Sequence, residues 1–286
     1  MQVITLTTDM GITDHYVASL KGTIFRLVPS VQIVDITHDV LAFDVAQAAY
    51  FVGNCFTDFP EGTIHVIAVD SEPLINFGSA QDGAFPAVML YKGHYFISND
   101  NGFFSLLLKE EKPEKFWRLD DVLSNPNAFR FPAKNILVPA ACRLANGETI
   151  DSIASEFKEY RRSFTINAVI EHNLIKGNVI HIDHYGNAIT NVTKELFDRV
   201  GKDTPFTIFF RKKEYFIDEI SPAYNAVTAG EKVAIFNNNN LLEIAINRGA
   251  KSRNGGASTL FGIDVNDVIR IEFDPRGSKE TLDSLF

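Results

Sequence analysis

The acidic segment at residues 8–15 carries side chains that are suited to binding a polar ligand. It reads TDMGITDH, in which Asp9 and Asp14 lie on either side of a glycine. Two carboxylates in such a loop can accept hydrogen bonds from ribose hydroxyls or from an ammonium group, or they can bind a divalent metal. Asp14 could instead cap the helix that follows, whereas capping does not explain Asp9.

Asp35 and His38 lie in a second acidic segment, DITHD, and could join Asp9 in a metal site. A metal-dependent hydrolase, however, normally supplies a clear pair of histidines, for example H-x-x-x-H on a helix. The seven histidines of this chain are scattered instead. The pattern favours a hydrogen-bonded loop residue at His38 and no metal, and a metal-dependent hydrolase stays open as an alternative.

Asp70 and the segment 182–191 complete the candidate functional residues. Asp70 could act as a base or position a water molecule, although an Asp before Ser is often only a turn former. Residues 182–191, IDHYGNAITN, bring together Asp183, Tyr185 and Asn187. The amide could read the edge of a purine and the aromatic ring could stack on its face, but a plain β-turn explains these residues equally well.

The first part of the chain alternates strand and helix patterns that would position these side chains. Short apolar runs predict three strands, at residues 3–7, 31–36 and 63–69. Helices are predicted from Asp14 to Pro29 and over residues 44–56. This alternation predicts right-handed crossovers and a mainly parallel sheet, in which ligands bind beyond the carboxyl ends of the strands. Acidic residues fall at all three ends: Asp9, Asp35 and Asp70.

Three further features are predicted before residue 150. Residues 86–97 have the pattern of a hairpin that turns at a Lys-Gly pair. The polar turn NDNG at 99–102 leads into a short helix. Another helix is predicted over residues 134–144, although Pro139 falls inside it.

From about residue 160 the runs become short, alternating and β-branched, with turn-forming residues between them. This pattern predicts an antiparallel β-barrel or sandwich. We therefore predict an α/β domain with a mainly parallel sheet over residues 1–160 and a C-terminal antiparallel β-barrel domain over residues 164–286. The four asparagines at 237–240 are predicted to form a loop between strands. The Gly-rich connection at 251–258 is either a flap over a ligand or a long hairpin loop.

Composition limits the classes of function. The chain has 286 residues, a formal net charge of −9 and a pI of about 5.3. An acidic surface argues against nucleic acid and anionic membranes as partners, and no apolar run approaches the roughly 20 residues that span a bilayer. The start shows no signal peptide, and Cys55 and Cys142 have no partner spacing. We expect a cytoplasmic enzyme or small-ligand binder.

Seven stretches of the chain, in collinear order, resemble the S-adenosylmethionine hydroxide adenosyltransferase family, whose relatives include fluorinases and chlorinases. They are TDMGITDHYVASLKG (8–22), VDITHDV (34–40), FPEGTIHVIAVD (59–70), NDNG (99–102), VPAACRLANG (138–147), IDHYGNAITN (182–191) and NNLLEIAIN (239–247). The resemblance implies a homotrimer that holds its nucleoside ligand between the N-terminal domain of one subunit and the C-terminal domain of a neighbour. It also implies that water or a halide attacks the ribose 5′ carbon of S-adenosylmethionine and methionine leaves, with no metal or other cofactor.

The resemblance further implies roles for individual residues around the ribose and the methionine. Carried over by position, Asp9 would bind the ribose hydroxyls and Phe43 would form an aromatic wall of the pocket. Asp14 and Asp183 would face the methionine ammonium. These roles agree with the hydrogen-bonding capacity of carboxylates.

The same comparison implies an adenine site in the C-terminal domain. Asn187 would read adenine, and Tyr224, aided by Tyr185, would stack on it. Three asparagines complete the binding set: Asn238, Asn239 and Asn247. The first two fall where the family contacts the methionine carboxylate, and an uncharged side chain there makes a weaker contact than the Arg of one halogenating relative.

The residues around the attacking nucleophile depart from the family pattern. Asp70 keeps the acidic position of the hydrolase branch, but Phe77 stands at the Arg position and Pro132 at the His position. Lys134 stands at the Arg position that follows. Ala133 stands where fluorinases have a halide-contacting Ser. Losing groups that position a nucleophile commonly lowers a rate by orders of magnitude.

Two hypotheses follow. The first is an S-adenosylmethionine hydrolase that releases adenosine and L-methionine, with Asp70 as its catalytic residue. The alternative is a nucleoside-binding or sensing protein that has lost turnover with its water-orienting Arg and His.

Overall fold

The structure, a computed structural model, describes residues 2–73, 83–119, 126–164, 166–252 and 254–274. The chain divides into two compact units, Met1–Thr165 and Ile166–Phe286. Among the described residues each unit is built around its own sheet, with seven strands in the first unit and eight in the second. None of the helices in these ranges has the length and apolar character that crossing a lipid bilayer requires.

The first unit begins with three strands that alternate with two helices. Its strands are β1 (Val3–Thr8), β2 (Gln32–Thr37), β3 (Ile64–Ala68), β4 (Pro86–Tyr91), β5 (His94–Asn99), β6 (Lys115–Leu119) and β7 (Ala154–Glu156). Its α-helices are α1 (Tyr16–Leu27), α2 (Val45–Gly53), α3 (Phe103–Leu108) and α4 (Val138–Ala145). The predicted hairpin is confirmed as β4 and β5, and the predicted short helix is confirmed as α3.

The sheet of the first unit has the strand order β2-β1-β3-β5-β4-β6-β7. β1 pairs in parallel with β2 and with β3, and β3 pairs in parallel with β5. The strands β4, β6 and β7 extend the sheet through antiparallel pairs. The predicted α/β domain is confirmed, and the three predicted strands agree with β1, β2 and β3 to within one residue at each end.

Helices cover both faces of this sheet and leave the strand ends to the loops. β1 and β3 are buried along their whole length because α1 and α4 pack on one face and α2 and α3 on the other. Helix α1 begins at Tyr16 with His15 as its N-cap and no side-chain cap, so the capping hypothesis for Asp14 is wrong. Asp44 does cap α2, since its carboxylate accepts a hydrogen bond from Gln47 N at 2.9 Å.

The helix predicted over residues 134–144 is divided into two parts. A π-helical turn at Ala133–Leu137 runs directly into α4. Pro139 lies in the first turn of α4. The missing N–H of proline costs little at this position because the first N–H groups of an α-helix have no acceptor within that helix.

The second unit is an antiparallel, nearly closed barrel, as predicted. Its strands are β8 (Val169–Glu171), β9 (Leu174–Ile182), β10 (Ala188–Thr193), β11 (Phe206–Phe210), β12 (Lys212–Ile217), β13 (Lys232–Phe236), β14 (Leu241–Ile246) and β15 (Val268–Phe273). The strand order is β12-β11-β15-β9-β10-β14-β13, with β8 paired to β9, and the two outermost strands β12 and β13 come into contact. Two helices, α5 (Lys194–Gly201) and α6 (Ala257–Phe261), accompany the strands.

Two loops of the barrel were anticipated from the sequence. The asparagine run at 237–240 connects β13 and β14, as predicted. In the Gly-rich connection, Ala250 and Gly255 form an isolated β-bridge, and helix α6 begins at Ala257. This connection is therefore a short bridged loop followed by a helix.

Candidate functional site

In the first unit, the loops that follow the parallel strands meet beside Asp9. The carboxyl ends of β1, β2 and β3 lie side by side because the three strands pair in parallel. Gly11 N donates to His38 O at 2.8 Å, and Val40 N donates to Thr8 O at 3.3 Å. These bonds join the loops after β1 and β2 into one surface at the end of the sheet.

The carboxylate of Asp9 holds the two neighbouring loops. Its Oδ2 accepts hydrogen bonds from Phe43 N at 3.0 Å and from Asp70 N at 3.4 Å. Phe43 and Asp70 both have left-handed backbone conformations, with φ of 66° and 46°. Such conformations cost non-glycine residues free energy and concentrate at functional sites. Among the described residues Asp9 Oδ1 has no hydrogen-bond partner, so one oxygen is left for a ligand.

Asp70 is held from its carbonyl side as well. Asn101 Nδ2 donates to Asp70 O and to Val69 O, both at 3.0 Å. Partial burial raises the pKa of the Asp70 carboxyl, and the nearby carboxylates of Asp9 and Glu72 raise it further. A carboxylate with a raised pKa in a fixed position has the properties of a proton acceptor for water.

The NDNG turn also fastens two neighbouring segments. Asn99 Nδ2 donates to Glu72 O at 2.9 Å, and both carboxylate oxygens of Asp100 accept from Arg161 N at 3.0 Å. Burial raises the pKa of Asp100 to about 6, although the Arg161 N–H and the charges of Arg161 and Arg118 act in the opposite direction. The turn thus holds Glu72, two residues after Asp70, and Arg161 of a segment that is distant in sequence.

The other predicted residues of these loops lie at the surface, except His38, which is buried. Asp14 is exposed, and Phe43 exposes 72% of its surface beside Asp9. Asp35 pairs with Lys21 and with His38 Nε2. No three His, Cys, Asp or Glu side chains within the described ranges are grouped so that they could hold a metal.

The positions that depart from the family pattern are only partly described. Phe77 lies outside the described residues. Pro132 is the N-cap of the π-helical turn and has no N–H to donate. Ala133 is fully buried in the core of the first unit. The described part of this region therefore supplies no side-chain hydrogen-bond donor at these two positions.

In the second unit, the loop between β9 and β10 is closed around Asp183. Asp183 Oδ1 accepts from Asn187 N at 2.8 Å, and Oδ2 accepts from Asn187 Nδ2 at 3.0 Å. Gly186, with φ of 86°, donates its N–H to Asp183 O at 3.0 Å. The segment is thus a tight turn that also fixes the side chains of two predicted ligand residues, while Tyr185 projects from it with 59% of its surface exposed.

The Gly-rich connection at 251–258 forms backbone hydrogen bonds with this turn. Lys251 N donates to Tyr185 O at 3.0 Å, and Ser258 N donates to Gly186 O at 2.8 Å. A Cβ atom on Gly256 would lie 2.2 Å from Tyr185 O. The close approach of the two backbones therefore requires glycine at this position.

A buried carboxylate that the sequence analysis missed lies beside this turn. Glu243 is 3% exposed, and it accepts hydrogen bonds from Tyr224 OH at 2.6 Å and from Asn237 Nδ2 at 3.2 Å. Burial raises the pKa of the Tyr224 hydroxyl, and the hydrogen bond to Glu243 raises it further. The only signal in the sequence is a single charge inside the apolar run LLEIAI.

The three remaining asparagines differ in their surroundings. Asn238 and Asn239 are exposed in the loop between β13 and β14. Asn247 is buried, and its side chain donates to Val227 O at 2.7 Å. Asn247 therefore ties the segment before β13 to the end of β14.

The comparisons with known proteins agree with this two-part organisation. The family models for the SAM hydroxide adenosyltransferase N-terminal and C-terminal domains match residues 4–154 and 177–270. An (R)-S-adenosyl-L-methionine hydrolase from Thermus thermophilus is 25% identical over 263 residues, which cover 87% of this chain and 94% of that protein. A fluorinase from Nocardia brasiliensis is 26% identical over 275 residues, which cover 86% and 90%.

A solved structure shows the same likeness. The crystal structure of an uncharacterized conserved protein from Thermotoga maritima superposes with a TM-score of 0.79 at 27% sequence identity, covering 95% of this chain and 99% of that one. Because the two domain models together match most of its length, the chain belongs to the SAM hydroxide adenosyltransferase family.

Proposed function

We propose that this protein binds S-adenosyl-L-methionine and transfers its adenosyl group to water, releasing adenosine and L-methionine. Relatives named as hydrolases and as fluorinases support adenosyl transfer. The observation that carries the proposal in this chain is the contact between Asp9 and Asp70, in which one carboxylate fixes the backbone of the other.

In the proposed reaction the free Oδ1 of Asp9 accepts a hydrogen bond from a ribose hydroxyl and so places the 5′ carbon. Asp70 accepts a hydrogen bond from the attacking water and receives its proton. The new bond joins the water oxygen to the 5′ carbon, and the electron pair of the broken carbon–sulfur bond goes to sulfur, which becomes the neutral thioether of methionine. The sulfonium is a good leaving group, so the protein has mainly to align the three atoms and exclude other water.

The second unit would bind the two ends of the substrate. Asn187 and Tyr224 would hold adenine, and Asp183 would face the methionine ammonium. Because oligomeric symmetry allows one copy to complete the site of another, we include in the proposal a homotrimer with sites between the first unit of one copy and the second unit of its neighbour.

Water is the favoured nucleophile for two reasons. Ala133 supplies no hydroxyl where the resemblance places a halide-contacting Ser, and its side chain is buried in the core. Asp70, a negatively charged acceptor, attracts the hydrogens of water but repels a halide ion. The missing donors at Phe77 and Pro132 predict slow turnover.

The test is incubation of the purified protein with S-adenosyl-L-methionine in ¹⁸O-labelled water that contains chloride. We expect adenosine carrying the label at its 5′ oxygen, together with methionine. Asp70→Asn should lower kcat by about 10²-fold or more while binding is retained, and Asp58→Asn, which changes an exposed Asp elsewhere in the unit, should match wild type.

Each other outcome contradicts a defined part of the proposal. Formation of 5′-chloro-5′-deoxyadenosine would identify a halide as the nucleophile. Tight binding without any product would support the binding or sensing alternative. Absence of binding to both S-adenosyl-L-methionine and adenosine in calorimetry would overturn the proposal as a whole.

A further inference from the structure

Glu243 occupies a position where an apolar residue would be expected. It lies on β14, which is buried along most of its length between β10 and β13. Side chains alternate across a strand, and the neighbours Leu242 and Ile244 point into the barrel core. Glu243 therefore points to the opposite face, as does Ala245, which packs beneath Val227.

The Glu243 carboxylate is balanced by neutral hydrogen-bond donors. It accepts from Tyr224 OH and Asn237 Nδ2. Both of these bonds and the nearby side chain of Asn187 lower its pKa against the effect of burial. No lysine or arginine forms a salt bridge with it in the described part of the chain. A buried carboxylate without a cation is unfavourable for stability, so its presence points to a role in the site.

The two carboxylates beside Asn187 determine which way its amide faces. Nδ2 donates to Asp183 Oδ2 at 3.0 Å. The Asn187 side chain also lowers the pKa of Glu243 against the effect of burial, which is the effect of an N–H group near that carboxylate. A reversed amide would place Oδ1 against two carboxylates, which is repulsive. Oδ1 makes no hydrogen bond within the described residues, so Asn187 presents this acceptor oxygen to a ligand.

We propose that Glu243 is a positioning residue that makes Asn187 an acceptor and fixes the Tyr224 ring, and thereby selects 6-aminopurine nucleosides over 6-oxopurine nucleosides. This inference rests on the proposed function, in which these two residues hold the base. The 6-amino group of adenine donates to Asn187 Oδ1. Hypoxanthine presents a carbonyl oxygen there, so two acceptors would face each other without a proton between them.

The test compares the affinities of adenosine and inosine by calorimetry for wild type, Glu243→Gln and Glu171→Gln. We expect wild type to bind adenosine about tenfold or more tighter than inosine. Glutamine keeps one acceptor oxygen and adds an N–H group beside Asn187, so only Asp183 still holds the Asn187 amide. The adenosine-to-inosine affinity ratio should therefore fall. Glu171→Gln removes an exposed charge on β8 that pairs with Lys176, and it should keep the wild-type ratio.

Two further measurements keep the test decisive. Tyr224→Phe leaves the Asn187 amide in place. It should weaken the binding of both adenosine and inosine and leave the ratio of the two affinities unchanged. The second measurement uses only the wild-type protein, so it does not depend on the folding of any variant. Wild type should bind purine riboside, which has only hydrogen at position 6, with an affinity between its affinities for adenosine and inosine.

The outcomes separate this inference from the proposed function. Wild type that binds neither adenosine nor S-adenosyl-L-methionine would refute the proposed function. Adenosine binding with an unchanged adenosine-to-inosine ratio in folded Glu243→Gln, or equal wild-type affinities for the two nucleosides, would refute the role of Glu243 alone.

Discussion

At the residue scale, the ionisation of Asp70 is set by burial and by three charged neighbours. Burial raises its pKa, the carboxylates of Asp9 and Glu72 raise it further, and the guanidinium of Arg161 lowers it. In the proposed reaction Asp70 accepts a proton and must be ionised. The rate should therefore fall as the pH is lowered through the pKa of Asp70.

Substituting the exposed neighbours Glu72 and Arg161 should shift the acid limb of the pH–rate profile, where the rate falls with pH, in opposite directions. Glu72→Gln removes a negative charge, which lowers the pKa of Asp70 and shifts the limb to lower pH. Arg161→Gln removes a positive charge and shifts the limb to higher pH. The measurement is kcat against pH at saturating substrate and low salt, where screening is weakest. A limb that stays in place in both variants would show that a group other than Asp70 controls it.

The residue scale also shows why the sequence predicted some site residues and missed others. Asp9 and Asp70 could be recognised because each follows a strand whose end is readable from the local pattern. Asn101 holds carbonyls 31 and 32 residues away along the chain, and Glu243 meets Tyr224 across 19 residues. Such partners are brought together only by the fold, so the local pattern does not identify them, and at Glu243 it shows only a single charge inside the apolar run LLEIAI.

At the element scale, regular apolar patterns were predictable, and so was the short helix α3, whereas the short helices of the β-rich second unit were not. The three parallel strands and helices α1 and α2 have regular patterns and were predicted, with the end of α2 placed about three residues too far along the chain. Helices α5 and α6, with eight and five residues, are too short to show a clear period within a β-rich region. The π-helical turn before α4 has no distinct sequence pattern.

The contact between the Asp183 turn and the Gly-rich connection gives a prediction for these two elements. In Gly256→Ala the new Cβ would lie 2.2 Å from Tyr185 O and 2.8 Å from Gly186 Cα, so one backbone must move. We expect the unfolding free energy to fall by about 1–3 kcal/mol and adenosine binding to weaken. Denaturant unfolding and calorimetry measure the two effects.

Gly22→Ala is the matched control, because nothing lies within 4 Å of the added Cβ on helix α1. It should raise the unfolding free energy by up to about 1 kcal/mol and leave binding unchanged. If Gly256→Ala bound adenosine with wild-type affinity, the exact position of the Asp183 turn would not be required for adenosine binding.

At the scale of the whole molecule, the candidate residues are divided between two compact units. Asp9 and Asp70 belong to the first unit, and Asp183 and Asn187 belong to the second. If each site combines units from two copies of a trimer, a defect in one unit of one chain can be compensated by the intact unit of another. A site built within a single chain allows no such compensation.

Mixed trimers therefore test where the site is formed. Asp9→Asn and Asp183→Asn should each be inactive when expressed alone. Co-expression of the two variants in equal amounts gives trimers of random composition. In these trimers about one quarter of the sites combine an intact first unit with an intact second unit. We expect about a quarter of wild-type activity in the mixture. Co-expression of Asp9→Asn with Asp70→Asn is the control, since every first unit is then defective and no activity should return. A mixture of Asp9→Asn and Asp183→Asn that forms trimers but stays inactive would place each site within one chain.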